Sequence, residues 1–116
     1  MVEEWEVQRQ FDGEWHHYHL LHHGRVTAWG KWRKSANDPT AAEFHNATFL
    51  KTKSVLMKTR DVFELIKSDM KSAGCTVVVV SDLSGNVDAT RRKYWSFMGF
   101  KFSTDIGDYT CAVMEV

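Results

Sequence analysis

Several groups of residues in this sequence could do chemistry. Lys53, Lys58 and Arg60 crowd one short stretch around Ser54 and Thr59. A cationic helix start with a hydroxyl beside it suits an anion, because helix N-termini carry unsatisfied N–H groups and a partial positive charge. Glu43 and His45 stand two apart, so on a strand they point to one face, where a carboxylate and an imidazole could move a proton. Arg91 and Arg92, with Lys93, make a cationic run next to Tyr94, which is either a solvated helix face or one turned to an anion. The run "WHHYHLLHH" presents His17 and His19, or His16 and His22, on one side of a strand at ligand spacing. No cysteine or carboxylate pair nearby completes a metal set, so no metal site is assigned. A polar strand face that gains charge near pH 6 is the simpler account.

Composition narrows the classes. Lys plus Arg and Asp plus Glu both number 15, for a formal net charge of zero, which argues against a dedicated nucleic-acid binder held by counterion release. The two cysteines, Cys75 and Cys111, lie far apart in apolar stretches, as buried free thiols of a reduced, cytosol-like compartment do. The apolar run at Val77 to Val80 is far short of the roughly 20 residues of a membrane span. The opening M-V-E-E-W has no cationic or apolar signal region, so a cytoplasmic protein without a membrane partner is expected.

The elements that must position these groups follow from periodicity and punctuation. Glu4 to Phe11 alternates, Asp12-Gly13 supplies a tight hairpin turn, and Trp15 to His22 returns. After His23-Gly24 a third strand, Arg25 to Trp32, carries Val26, Ala28 and Gly30 on one face and Thr27, Trp29 and Lys31 on the other. "SANDPT" is a loop, and Glu43 to Thr52 reads as a fourth strand, although "AAEFHNA" could also start a helix. From Thr59 the period changes: Val62, Phe63, Ile66, Met70 and Ala73 form a helical stripe, with Thr59 as the cap and Gly74 as the stop. Cys75 to Ser81 reads as a strand covered on both faces, and Val87 to Met98 as a second helix ending at Gly99 and capped by Ser84 or Asn86. Lys101 to Thr104 and Tyr109 to Glu115 close as a hairpin.

The order β-β-β-β-α-β-α-β-β predicts a single α/β (α+β) domain, residues 1–116, in which a mixed sheet is packed by two helices. Four of the five tryptophans (Trp5, Trp15, Trp29, Trp32) fall in the N-terminal meander. Such an aromatic-rich sheet is either core or an interface for self-association or assembly into a particle.

A strand, a helix, "GF" and a terminal hairpin in this order resemble the core of the GNAT superfamily of N-acetyltransferases, over about Ala47 to Val116. The family's last helix follows N-x-x-A-x-x-x-Y-x-x-x-G-F. Here Met98-Gly99-Phe100 matches its end, and counting back puts Trp95 at the tyrosine, Arg91 at the alanine and Asp88 at the asparagine, with Tyr94 one residue from the tyrosine position. The resemblance implies an acyl-CoA N-acyltransferase fold that carries acetyl from acetyl-CoA to an amine.

In that reading Lys53, Ser54, Lys58, Thr59 and Arg60, with Arg91 and Arg92, hold the cofactor. Tyr94 protonates the leaving thiolate, and Glu43 or His45 serves as base. The family's glycine-rich pyrophosphate loop should fall across Ser54 to Thr59, which contains no glycine, and Asp12-Gly13 turns straight from the first strand to the next where the family places its first two helices. The sequence is also similar to GNAT-like internal virion proteins of short-tailed phages. A scaffold without catalysis, in a phage particle or elsewhere, is therefore the second expectation, and an unrelated interaction module the third.

Overall fold

The computed structural model describes residues 4–49 and 52–116. Seven strands and two helices follow in the expected order: β1 (Trp5–Phe11), β2 (His16–His22), β3 (Arg25–Lys34), β4 (Ala41–Thr48), α1 (Lys53–Ser72), β5 (Val77–Leu83), α2 (Ala89–Met98), β6 (Lys101–Phe102) and β7 (Tyr109–Glu115). The strands form one sheet in the order β1-β2-β3-β4-β5-β7-β6. The β1–β2, β2–β3, β5–β7 and β6–β7 ladders are antiparallel and β4–β5 is parallel. A parallel pair needs a crossover, and α1 lies in it. The chain forms two compact units, Met1–Arg33 with Phe44–Asp69, and Lys34–Glu43 with Met70–Val116.

In the first unit the core lies on one face of the meander. Tyr18, Leu20, Ala28, Trp32 and Phe44 are buried, and the Phe44 ring meets Phe63 of α1 at 5.0 Å. Gly30 is glycine for a packing reason: a Cβ there would lie 3.0 Å from the Phe44 ring. The expected alternation of β3 holds for Ala28 and Gly30 and fails at its start. The register slips between Leu20 and Leu21, so Thr27 is buried and donates to the Leu20 carbonyl while Val26 is exposed.

α1 departs most from the sequence pattern. It begins at Lys53, not Thr59, because the buried stripe extends a turn further back to Val55, whose exposure is 0%. Thr52 is the cap: its Oγ1 accepts from the Val55 N–H at 3.3 Å. Thr59 lies inside the helix and donates to the Val55 carbonyl. The fourth strand accordingly ends at Thr48 rather than Thr52.

In the second unit Gly74 (φ 94°) stops α1 as expected, with the Cys75 N–H bonded to the Met70 carbonyl, so β5 starts at Val77. The cap of α2 is Asp88, not Ser84 or Asn86, which lie in a preceding 3₁₀ turn. Val78, Val80, Trp95, Met98, Phe100 and Ala112 form the core of this unit. No helix among the described residues is long and apolar enough to cross a membrane.

Candidate functional site

The parallel ladder is short. Ala41, Ala42 and Glu43 pair with Val77, Val78 and Val79, and there the pairing stops. β5 continues to Leu83 with β7 as its partner, and β4 continues to Thr48. Glu43, half-buried, thus stands at the end of the ladder. His45 keeps to the same strand face, opposite Ala42 and Phe44, and is exposed. Its ring meets the edge of Trp15 at 5.5 Å. Trp15 also packs under Lys31 Nζ at 4.4 Å and the Arg33 guanidinium at 4.2 Å, and Arg33 pairs with Glu14. This aromatic and cationic setting of His45 is invisible in the sequence around it, because its members come from three segments.

The helix after β5 is anchored at its start. Asp88 Oδ1 accepts from the Arg91 N–H at 2.8 Å. Asp82, on β5, accepts from the Asn86 amide at 3.2 Å, from the Leu83 N–H at 2.7 Å and from the Arg91 guanidinium. Desolvation would push the Asp82 carboxyl up. Its hydrogen bonds to Asn86 and Leu83, with Arg91 beside it, outweigh that and hold it below the usual carboxylate range. Arg91 also lies 5.3 Å from the Trp95 ring, and Arg92 lies 4.9 Å from that of Phe102. Both arginines therefore have local aromatic partners, and Arg91 a carboxylate as well.

Trp95, which counts to the tyrosine position of the family pattern, is core at 2% exposure and meets Phe102 at 5.9 Å. Tyr94 is half-buried and, one residue earlier on a helix, is rotated about 100° from Trp95. Gly99 takes φ 103°, the left-handed stop, and Phe100 is buried behind it.

At the start of α1 only Lys53 and Ser54, of the residues expected to hold phosphates, stand in the first turn, which contains no acid. Lys58, Thr59 and Arg60 are displaced along the helix, so the expected cluster is spread over about two turns. A glycine-free helix start cannot let backbone amides approach a pyrophosphate as closely as a glycine loop does. The Lys53 and Ser54 side chains and the positive helix end still fit an anion.

The histidines of β2 separate by face. His16 stacks between Phe11 (4.5 Å) and Trp32 (4.3 Å), and burial pushes its pKa down. His17 lies 2.7 Å from Asp12 Oδ2, and His22 stacks on Trp5 at 4.0 Å.

No family model matches the sequence, and no curated protein matches it. Solved structures do match. The GNAT domain of S. lividans PAT superposes with a TM-score of 0.73 at 12% identity, covering 92% of this chain and 64% of that one. The Campylobacter jejuni N-acetyltransferase PseH in complex with acetyl coenzyme A gives 0.64 at 12% identity, covering 90% and 70%. The aminoglycoside acetyltransferase AAC(6')-Ib with coenzyme A gives 0.67 at 10% identity, covering 88% and 66%.

The fold is that of the GNAT acetyltransferases. This chain spans about two thirds of the length of those GNAT neighbours. In its version of the GNAT fold β1 reaches β2 through a turn alone, in which Asp12 Oδ1 accepts from the Glu14 N–H at 2.9 Å and the Trp15 N–H at 2.7 Å. The asparagine position of the GNAT helix pattern also gains a physical meaning here, since Asp88 occupies it and caps α2.

Proposed function

We propose that this chain is a reduced GNAT-type N-acetyltransferase that takes acetyl-CoA as donor and an amine as acceptor. The observation that carries the reading is the parallel ladder that stops at Glu43 and Val79 while β5 runs on to Leu83. In enzymes of this fold the pantetheine lies where these two strands cease to pair. Solved neighbours with acetyl coenzyme A and coenzyme A share the fold.

Bound acetyl-CoA would supply an acetyl thioester. The chain's own residues then have these tasks. Glu43, at the ladder end, accepts the ammonium proton of the acceptor, with His45 two residues on as the alternative base. Tyr94, on the helix that follows β5, donates its phenolic proton to the departing thiolate sulfur as the acetyl group passes to nitrogen. Lys53 and Ser54 serve the phosphates at the positive end of α1, and Lys58, Thr59 and Arg60 are secondary because they lie further along it. Arg92 lies against the Phe102 ring and Arg91 holds Asp82.

A second reading is favoured by the glycine-free helix start: a GNAT-fold scaffold without catalysis, serving as a structural part of an assembly such as a phage particle. Titrating acetyl-CoA into the purified protein by calorimetry separates the two. Micromolar binding that Lys53→Glu abolishes and Lys58→Glu/Arg60→Glu weakens less is the result expected for the transferase, and it justifies an amine screen. No heat at millimolar ligand removes the donor and leaves the scaffold.

A further inference from the structure

The two edges of the sheet are unlike. At one end β6 has only two residues, Lys101 and Phe102. At the other, β1 runs for seven, among the described residues pairs only with β2, and keeps an unbroken register from Trp5 to Phe11. A long, regular edge strand is a template for another strand unless Pro, Lys or a bulge interrupts it. "WEVQRQF" has no Pro or Lys and its ladder has no bulge; its two charges are Glu6 and Arg9, and Arg9 is paired with Asp69.

The backbone groups that face outward can be assigned. The His23 N–H donates to the Glu4 carbonyl at 2.9 Å and the Asp12 N–H to the Trp15 carbonyl at 3.2 Å, both in the β1–β2 register. Hydrogen-bonded pairs alternate along an antiparallel ladder, so Glu6, Gln8 and Gln10 aim their backbone groups at β2. Trp5, Val7, Arg9 and Phe11 therefore aim theirs away from the sheet.

We propose that this edge joins a second copy of the chain, antiparallel, about a two-fold axis at Gln8, so that two sheets become one. In this register every outward residue finds an outward partner: Trp5 faces Phe11 of the second copy and Val7 faces Arg9, each as a hydrogen-bonded pair. Glu6 faces Gln10, so between Trp5 and Phe11 no like charges oppose each other; just beyond β1, Glu4 faces Asp12. A two-fold at Arg9 or Glu6 would set a charge against its own copy, and one at Val7 would leave Phe11 outside the pairing.

Side chains agree with the register. Trp5 stacks on His22 and Phe11 on His16 within each chain, so the pairing extends each stack across the junction. Phe11, 58% exposed, gains cover. Arg9 pairs with Asp69 at 2.5 Å, is 52% exposed at its side chain, and meets across the junction the uncharged Val7 of the second copy.

Sedimentation of the full chain tests this without reference to any catalytic activity. A reversible monomer–dimer equilibrium is expected. Val7→Pro removes one outward N–H, leaves the β1–β2 ladder intact and shifts the protein to monomer. Position 7 faces Arg9 of the second copy, so Val7→Lys weakens the dimer and Val7→Glu tightens it, each by about two- to five-fold. Damage to the monomer would move both variants the same way. Gln8→Cys sits on the two-fold and cross-links on mild oxidation, whereas Gln10→Cys, facing Glu6, does not. A monomer at NMR concentrations, equal effects of Lys and Glu at position 7, or cross-linking at position 10 in preference to 8 overturns the proposal.

Discussion

The hydroxyl of Tyr18 lies 2.7 Å from Asp69 Oδ2 and 3.0 Å from Trp32 Nε1, donating to the first and accepting from the second. Arg9 binds the same carboxylate oxygen. Tyr18 and Trp32 are 3% and 1% exposed, so one chain of hydrogen bonds ties β1, β2 and β3 to α1 inside the first unit with its polar atoms satisfied.

Replacing Tyr18 by Phe leaves the Trp32 N–H without its acceptor, and the expected cost is about 1–3 kcal/mol, measured as a fall in the urea midpoint. The same phenol sets an alkaline limit. Burial, foremost, pushes its pKa up to about 12, whereas an unfolded phenol ionises near 10. The neutral phenol's contribution is therefore fully present below pH ~10 and lost as pH rises toward ~12, amounting to about 3 kcal/mol. Denaturation curves across that range should steepen in loss for the native protein and stay flatter for Tyr18→Phe.

Asp82 and Arg91 are 30% and 36% exposed at their side chains, so their ion pair is well screened. Asp82→Asn should cost about 0.5–1 kcal/mol at neutral pH. Because the folded carboxyl ionises below its ordinary value of 3.8, this stability is present above that pH and lost as pH falls through the folded pKa. Thermal melts of the two proteins should differ at pH 7 and converge in strong acid.

The position of the α1 cap has its own test. Thr52→Ala should destabilise by about 1 kcal/mol through the lost bond to the Val55 N–H. Thr59→Ala, inside the helix, should stay within about 0.5 kcal/mol of the parent, because alanine is the better helix former. Chemical denaturation of the pair decides it, and the reverse ranking would return the helix start to Thr59.

For the proposed transfer reaction, Tyr94→Phe should keep acetyl-CoA affinity and slow turnover on an identified amine by about 10²-fold or more. Equal loss of both quantities would make Tyr94 a packing residue.

The sequence alone determined what local physics controls. Asp12-Gly13 and His23-Gly24 are turns because the backbone takes positive φ at Gly13, His23 and Gly24. Phe63, Ile66 and Met70 fall on one helical face, and Gly74 and Gly99 stop helices for the same left-handed reason. These signals lie within a few residues of the feature they specify. They suffice for the element order, and the order implies the fold.

Tertiary structure decided the rest, because it depends on partners distant in the chain. Val55 extends the α1 stripe only once the helix has a core to pack on, and that leaves Lys58 and Arg60 away from the helix start. Thr27 and Val26 exchange places because of a register slip in the β2–β3 ladder. Arg91, read as part of a cationic run either solvated or turned to an anion, is held by Asp82 nine residues earlier. Tyr18 draws its partners from positions 14 and 51 residues away. The early end of the β4–β5 ladder, on which the functional reading rests, joins strands separated by the whole of α1. No local pattern records such pairings, since their energy arises only when the chain has folded.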